Sequence, residues 1–343
     1  MKMSWKFWLG IAISAGFFAW FLRGLSLAQV WADLRAADYW YIIPGVAVYF
    51  LAVVARTWRW QYLLRPSGQI PLRRLFPIVV IGYMGNNVYP ARAGEFIRSY
   101  VLRRDTGVPI SASLATVLIE RVFDGLVMLL FVFVALPFVS LPSWLHRVVV
   151  ASTVLFAAAT VVIMAMALRP KAFLAAYAWS ERRLLPARAR PKVGSIVERF
   201  IEGMGGLRRP SDVLMVFVTS ALIWLTETTK YWILMHGFPF RVDFIVLMLM
   251  TAVVNLATTV PSAPGYLGTF DAPGIKILAA FGVQESVAAS YTLVLHAALF
   301  LPITLLGFYY MGKKSISWAD FGDANKRVAA SSSASPGASE ARL

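Results

Sequence analysis

The chain has 343 residues, of which 59% are hydrophobic and 15% are charged, whereas soluble domains carry roughly 25% charged residues. It contains no cysteine and only three histidines, which excludes disulfides, thiol nucleophiles and Cys-ligated metals, and we expect no metal or other cofactor. A net charge of +16 favours a nucleic-acid partner in a soluble protein, but the apolar residues here come in runs long enough to cross a bilayer. The sequence therefore predicts an integral membrane protein whose basic residues face anionic lipid headgroups, with no nucleic-acid partner.

Six uninterrupted apolar runs predict full transmembrane helices, since a helix needs about 20 residues to cross the hydrocarbon core. They are residues 7–22, 39–64, 111–138, 148–168, 212–235 and 286–310. Lys2 and Lys6 precede the first run as in a signal peptide, but no small-residue cleavage site follows, so we expect a retained first helix.

Two further apolar stretches, 75–95 and 244–281, are interrupted by Gly, Pro and Asn residues. Broken backbone at membrane depth is tolerated only where protein or a water-filled cavity surrounds it, so both stretches are predicted to be re-entrant hairpins that line a site. The helices that flank the first hairpin run in the opposite direction to those that flank the second, which is typical of inverted-repeat transporters. The predicted fold is therefore all-α, with six transmembrane helices and two oppositely oriented re-entrant hairpins in a single domain over residues 1–317.

The basic residues indicate the orientation of this arrangement in the membrane. With the N-terminus inside, the segments predicted to be cytoplasmic hold 26 Lys and Arg, and the external segments hold four. The cytoplasmic segments are 1–6, 56–74, 91–110, 169–211 and 311–343. We therefore expect a multi-pass protein of a bacterial plasma membrane with both termini in the cytoplasm.

The longest polar connection, 169–211, contains a predicted amphipathic helix, because its apolar residues follow the spacing of one helix face. These residues are Val193, Ile196, Val197, Phe200, Ile201 and Met204. The helix can lie on the cytoplasmic leaflet with its basic flank on anionic lipid, or it can dock on the protein itself, and both interpretations stay open. Residues 318–343 are rich in Ser, Ala, Gly and Pro, which predicts a disordered cytoplasmic tail.

Glu120, Arg121 and Asp124 lie near the middle of the predicted helix over 111–138. An ionisable group at a helix centre costs at least ~2.5 kcal/mol, so each is expected to face a cavity or a partner. Glu120 and Asp124 share a helix face, and Arg121 is three residues from Asp124. Two interpretations stay open: a buried ion pair that locks two helices together, or a polar lining whose charges change partners during transport.

Ionisable residues also occur in two later helices. Glu227 and Lys230 are three residues apart in the predicted helix over 212–235, where they can neutralise each other or line the same path. His296, in the last predicted helix, either packs through hydrogen bonds or titrates and couples a proton. We retain all three as candidate site residues.

The first hairpin concentrates polar side chains, namely Asn86, Asn87, Arg92, Glu95 and Arg98. The two Asn amides can satisfy backbone groups freed where a helix breaks, and the two arginine forks suit a phosphate. A helix that begins after the hairpin's proline would add its N-terminal dipole to the same anion site. The alternative is a cytoplasmic loop whose arginines reflect only the positive-inside bias, which leaves Glu95 between them unexplained.

The second hairpin places two prolines and two glycines, among them Pro264 and Gly265, ahead of Asp271. An acid at the start of a following short helix is favourable through the helix dipole even without a function. Tyr266 and Phe270 can contact an acyl chain, although anchoring at the membrane interface is the favoured interpretation.

Three ordered motifs resemble the membrane region of the lysylphosphatidylglycerol synthase family, whose members are also described as flippase-like. The motifs are Asn87 to Pro90 with Arg92, Gly94, Glu95 and Arg98; Glu120 and Arg121 with Asp124; and Pro264 and Gly265 with Gly268 and Asp271. The resemblance covers residues 7–312 and implies a domain that moves lipids with large polar heads between leaflets, with the motifs lining the path. Asp271 stands where many relatives are expected to have Glu, and the short tail after the last predicted helix does not imply aminoacylation.

The favoured function is that of a lipid transporter rather than an enzyme. An anionic or polyprenyl-phosphate headgroup is expected to be held by Arg92, Arg98 and Arg121, while the lipid tails stay in the bilayer. No phosphate-binding P-loop motif occurs in the sequence, so direct coupling to ATP is not expected.

Two alternatives to transport stay open. A membrane transferase that adds a glycosyl or similar group to lipid could use Glu95, Glu120 or Asp124 as a general base. The chain could also be an accessory subunit of a lipid-modification pathway. The expected partners are membrane lipids with anionic headgroups, while homo-oligomers and enzymes of such a pathway are left open.

Overall fold

The computed structural model describes residues 26–89, 92–138, 143–184, 186, 190–207, 209–259 and 264–316. The predicted first helix over 7–22, Pro90 in the first hairpin and the predicted tail over 318–343 lie outside these residues. The described part of the chain is all-helical, as the sequence predicts, and contains no strand.

Twelve α-helices follow one another in the described residues. They are α1 (Leu27–Ala36), α2 (Ile42–Leu63), α3 (Leu72–Val88), α4 (Gly94–Thr106), α5 (Ile110–Ala135), α6 (Ser143–Leu168), α7 (Pro170–Leu184), α8 (Arg190–Gly203), α9 (Pro210–Met235), α10 (Phe244–Ala257), α11 (Asp271–Ala280) and α12 (Glu285–Lys313). Short 3₁₀ turns lie at Tyr39–Tyr41, Arg65–Ser67, Met204–Leu207 and Pro264–Tyr266.

Among the described helices, three are long and apolar enough to cross a membrane: α2 with its preceding turn, α9 and α12. Their lengths of 25, 26 and 29 residues exceed the about 20 residues that a crossing needs. α6 and α7 provide a fourth if they count as one span, although the chain bends by 102° between them. α5 is as long as α9, at 26 residues, but carries Glu120, Arg121 and Asp124 in its interior.

The predicted hairpin at 244–281 contains the two short helices α10 and α11. The predicted hairpin at 75–95 contains most of α3 but only the start of α4, which continues to Thr106 through residues predicted to be a cytoplasmic segment. α3 and α4 have 17 and 13 residues and pack against each other, as do α10 and α11 with 14 and 10 residues. The backbones of the first pair cross at close range, because a Cβ on Gly94 would collide with the carbonyl oxygen of Gly82. In the second pair, a Cβ on Gly274 would lie 2.8 Å from Met250 Cε. Both pairs are therefore close-packed units of helices shorter than a full crossing.

The helices of the first half, α2 to α5, and those of the second half, α9 to α12, make equivalent contacts with each other. α2 packs against α9, α3 packs against α12, and α10 packs against α5. The first helix of each short pair therefore lies on the last long helix of the other half. Each pair also contacts the long helices that flank it in the chain. The described residues thus interlock as two halves, α2 to α5 and α9 to α12, with equivalent neighbours.

α8 docks on α5 through its apolar face. Ile201 and Met204 are buried, and a Cβ on Gly203 would lie 2.5 Å from the carbonyl oxygen of Ala112. The amphipathic helix in 169–211 therefore docks on the protein itself through this apolar face, which is one of the two interpretations of the sequence.

Candidate functional site

A cavity of about 150 Å³ lies where the two halves meet. It has room for several water molecules, since each occupies ~30 Å³ in the liquid. Side chains from α2, α3, α5, α9, α10 and α12 line it, together with residues that follow α3 and α10. Its charged or imidazole lining residues are Arg56, Arg92, Arg121, Asp124, Glu227 and His296.

Arg56 enters the cavity from α2. Its Nη1 atom lies 3.1 Å from Glu227 Oε1 and donates a 3.3 Å hydrogen bond to the Tyr83 hydroxyl. The guanidinium lies 4.7 Å from the centre of the Trp224 ring, where a cation–π attraction adds to the ion pair. Arg56 is therefore held by one carboxylate and by the aromatic wall of the cavity.

Arg121 projects from α5 toward the first short helix pair. Its Nε atom lies 2.9 Å from Glu95 Oε1, but the two atoms are not aligned for a hydrogen bond. A second carboxylate, Asp124, is 3.8 Å from its Nη1. The local pair between Arg121 and Asp124 that the sequence allows is thus present, and Glu95 lies closer to the guanidinium than Asp124 does.

Arg92 joins the two short helix pairs. Its φ of 54° places a non-glycine residue in the left-handed region, which costs energy and is common at functional sites. Its Nη2 donates a 3.0 Å hydrogen bond to the carbonyl oxygen of Thr258, just after α10. Glu95 Oε1 is 3.9 Å from Nη1, and Nε is buried without a hydrogen-bond partner. Arg92 therefore retains donor capacity beside the cavity.

A buried ion-pair network supports the cavity from behind. Arg59 of α2 lies 2.6 Å from Asp124 Oδ1 and 3.6 Å from Glu120 Oε1. Glu120 also pairs with Arg98 of α4, and both Arg59 and Glu120 are only 2% exposed. These contacts tie α2, α4 and α5 together, and neither Glu120 nor Arg98 lines the main cavity.

Glu227 and Lys230 pair with each other on α9, as one of the two interpretations of the sequence expects. Glu227 also lies 3.1 Å from Arg56, so one carboxylate is shared by two cations. The Lys230 ammonium lies 4.7 Å from the centre of the Tyr49 ring and is buried behind the cavity wall. Glu227 lines the cavity, whereas Lys230 supports it.

The ion-paired cluster in the described residues has more cations than anions. The cations are Arg56, Arg59, Arg92, Arg98, Arg121 and Lys230, and the anions are Glu95, Glu120, Asp124 and Glu227. Six cations and four carboxylates leave a formal net charge of +2. Because excess charge away from bulk water is costly unless it is paired, this cluster favours an anionic ligand.

His296 of α12 lies between the second short pair and the cavity. Its Nδ1 is 2.8 Å from Asp271 Oδ1, and its Nε2 is 2.7 Å from the carbonyl oxygen of Gly265. Asp271 Oδ2 in turn accepts a 3.0 Å hydrogen bond from the Gly268 N–H. Asp271 is 1% exposed and does not itself line the cavity. Its contact with the cavity runs through His296.

The cavity gathers eight of the predicted site residues. They are Asn86, Asn87, Arg92, Arg121, Asp124, Glu227, Gly265 and His296. Glu95 and Arg98 line a smaller adjoining cavity, Glu120, Lys230 and Asp271 lie behind the walls, and Pro264 begins the turn that holds Gly265. No group of three or more His, Asp or Glu side chains within the described ranges could hold a metal ion.

Arg56 and Arg59 are not among the predicted site residues and fall in a segment predicted to be cytoplasmic. Both lie inside α2 and point to one side of it, toward Glu227 and Asp124 respectively. The available signal was the aromatic and apolar run around them, which includes the buried Trp60 and continues the helix to Leu63.

An all-helical chain with several membrane-length helices and a charged cavity between two halves has the properties of a multi-pass integral membrane protein. Comparison with known families agrees, since residues 7–307 match the family described as the lysylphosphatidylglycerol synthase TM region. The chain belongs to this family, as its motifs indicate.

Individual relatives are archaeal proteins of low sequence identity to this chain. The chain is 26% identical to a UPF0104 membrane protein of Methanothermobacter thermautotrophicus, over 80% of this chain and 85% of the relative. It is 22% identical to another UPF0104 membrane protein, from Methanocaldococcus jannaschii, over 79% of this chain and 84% of the relative. It is also 25% identical to glycosyltransferase AglD of Haloferax volcanii, over 82% of this chain but 50% of that protein. No solved structure matches the chain at a significant level.

Proposed function

We propose that this protein is a lipid transporter that moves an anionic headgroup, such as a phospholipid or polyprenyl-phosphate head, between membrane leaflets. The observation that carries the proposal is the excess of positive charge around the cavity between the two halves, with Arg92 incompletely paired. A solvated headgroup cannot cross hydrocarbon without a large desolvation penalty, and a polar cavity between helices lowers that penalty.

Within this proposal, the fold has six transmembrane helices and two re-entrant hairpins in an inverted repeat. α3, α4, α10 and α11 are each shorter than a crossing, which supports two hairpins rather than further spans. The equivalent helix contacts made by the two halves support the inverted repeat. An inverted repeat provides two equivalent openings, one toward each leaflet.

The proposed location is a plasma membrane with both termini in the cytoplasm. Arg56, Arg59 and Arg98 lie inside helices and no longer count as cytoplasmic. Even without them, most Lys and Arg residues lie in the segments predicted to be cytoplasmic. The relatives described above are archaeal, so they do not support the expected bacterial source.

Arg92 and Arg121 are the proposed headgroup ligands. Planar guanidinium forks bind phosphate oxygens in pairs, and both side chains line the same cavity. Glu95 Oε1 lies near both arginines but accepts no aligned hydrogen bond from either, so a phosphate can take its place. Arg98 is engaged by Glu120, which removes it from the proposed ligand set.

The lipid-modifying alternative has one observation in its favour, the similarity to a relative named as a glycosyltransferase. Half of that relative lies outside the part aligned with this chain, so the similarity does not assign its activity to the shared part. Asp124 lines the cavity but is paired with Arg59 and accepts a hydrogen bond from Trp224, which disfavours it as a general base.

Reconstitution of the full-length protein into liposomes separates the two functions. With a fluorescent anionic lipid in one leaflet, transport gives faster leaflet exchange than protein-free liposomes. Transfer activity instead gives a new lipid product when a sugar-nucleotide donor is added. Exchange that equals the protein-free rate for every anionic lipid tested contradicts the transporter.

A further inference from the structure

Both ring nitrogens of His296 face hydrogen-bond acceptors. Nδ1 faces the Asp271 carboxylate at 2.8 Å, and Nε2 faces the Gly265 carbonyl at 2.7 Å. A neutral imidazole has one N–H, so it can donate to only one of them. Satisfying both contacts requires one more proton, either on His296 as imidazolium or on the Asp271 carboxyl as an O–H donor.

The surroundings leave no other donor for this pair among the contacts of the described residues. Asp271 Oδ2 already accepts from the Gly268 N–H, and the rings of Phe270 and Phe300 flank the imidazole at 4.6 and 6.4 Å. The other ionisable side chains that face the same cavity are Arg56, Arg92, Arg121, Asp124 and Glu227, and the tyrosines at 49, 83, 231 and 266. The extra proton is therefore bound within the pair itself.

The pair holds a turn that is costly to form. Gly265, Tyr266 and Gly268 have φ values of 72°, 59° and 79°, and Tyr266 adopts this left-handed conformation without being glycine. His296 contacts the carbonyl oxygen of Gly265, and the Asp271 carboxylate accepts a hydrogen bond from the Gly268 N–H. When the proton is lost, one ring nitrogen of His296 has no hydrogen and faces a hydrogen-bond acceptor. One of the two hydrogen bonds of His296, to Asp271 or to Gly265, is then lost.

The turn also forms part of the cavity wall. The Tyr266 ring lies 5.7 Å from the Arg92 guanidinium, and both residues line the cavity. Arg92 is bonded to Thr258, at the other end of the connection between α10 and the turn. Movement of the turn therefore changes the surroundings of the arginine assigned to the headgroup.

We propose that His296 and Asp271 form a proton-binding site that latches the turn from Pro264 to Asp271 onto α12. With the proton bound, the turn is anchored and Tyr266 covers Arg92. Without it, the turn is released from α12 and opens this wall of the cavity. The coupling of the latch to lipid movement rests on the transport function proposed above, whereas the proton site does not.

Thiol labelling tests the latch, because the chain has no native cysteine. Thr269 lies in the turn and is 1% exposed, so Thr269→Cys in the full-length protein should react slowly with a maleimide while the latch is closed. Thr57 in α2 is equally buried, at 0% exposed, and Thr57→Cys controls for the reactivity of the thiolate and for general loosening.

The expected result is a pH-dependent ratio of the two labelling rates. The rate at position 269 relative to position 57 should rise with pH, by up to about tenfold per unit once the proton begins to leave. Adding Asp271→Asn should keep the ratio low at every pH, because the amide can donate to a neutral His296 while its oxygen accepts from Gly268. His296→Gln should likewise remove the pH dependence.

A ratio that does not change with pH overturns the latch, as does the same pH dependence in the Asp271→Asn variant. The parent Thr269→Cys protein alone decides the first point, even if a second substitution prevents folding. Labelling requires no lipid movement. A pH-dependent ratio without lipid exchange therefore supports the latch and rejects the transporter, and a flat ratio with exchange does the reverse.

Discussion

Arg92 Nη2 donates a hydrogen bond to the carbonyl oxygen of Thr258 at 3.0 Å, which links the first short helix pair to the second across the cavity. The two residues are 166 positions apart in the chain, and each follows the first helix of its pair. The contact is therefore one of the points at which the halves must separate if a headgroup is to pass between them.

The two hairpins should open to opposite sides of the membrane. In single-cysteine variants, Gln69→Cys and Arg104→Cys at the two ends of the first pair should react with an impermeant thiol reagent only from the cytoplasmic side. Asp243→Cys and Gln284→Cys at the ends of the second pair should react only from outside. All four positions are exposed, so access to the reagent is governed by sidedness.

Labelling of Gln69→Cys and Arg104→Cys from opposite sides would show that the first pair is a full crossing. Such a result would invert the orientation of everything that follows and would contradict the re-entrant arrangement.

Removal of Glu120 should destabilise the protein strongly. Glu120→Leu leaves Arg98 and Arg59 buried without this partner, and breaking a buried ion pair typically costs about 3–5 kcal/mol. The measurement is the temperature at which the purified protein loses its monodisperse elution profile. Lys314→Ala, which breaks an exposed pair with Asp105, is the control and should cost about 1 kcal/mol or less. Equal losses in the two variants would contradict a supporting role for Glu120.

Gly94→Ala should damage the first short pair. Its Cβ would collide with the backbone of α3 at Gly82, and overpacking of this kind costs about 1–3 kcal/mol. Gly312→Ala is the control, because a Cβ there meets no atom within 4 Å and replacing a helical glycine adds about 0.5–1 kcal/mol of stability. The thermal stabilities of the two variants should therefore move in opposite directions, and a neutral Gly94→Ala would show that the crossing is loose.

The positions of the long helices could be predicted from the sequence because their signals are local. The helix predicted at 111–138 is α5, Ile110–Ala135, which begins directly after Pro109. The helix predicted at 212–235 is α9, and Pro210 occupies its first turn. Apolar runs bounded by prolines define such helices without information from elsewhere in the chain.

The partners of the buried charges could not be predicted, because they come from distant segments. Asp124 lies 2.6 Å from Arg59, which is 65 positions away, and only 3.8 Å from the neighbouring Arg121 that the helical spacing suggests. His296 is similar, since its contacts with Gly265 and Asp271 depend on how α12 packs against the second pair. A local pattern identifies that such residues are costly in a membrane but not which neighbour compensates them.

The positive charge of the cavity depends in part on Arg92, which can be neutralised by substitution. Arg92→Gln removes one cation at a side chain that is 23% exposed and only loosely paired, so the protein should remain folded. Arg104→Gln removes the same charge from an exposed position at the end of α4 and is the matched control.

The most direct test is the rate of leaflet exchange in proteoliposomes, measured in parallel for fluorescent phosphatidylglycerol and fluorescent phosphatidylcholine. The parent protein and Arg104→Gln should move the anionic lipid faster than the zwitterionic one. Arg92→Gln should lose that preference by about tenfold or more, since a charge-assisted arginine contact is worth about 1.5–3 kcal/mol. Equal exchange of the two lipids by the parent protein, or an unchanged preference in Arg92→Gln, would contradict an arginine-lined path for anionic headgroups.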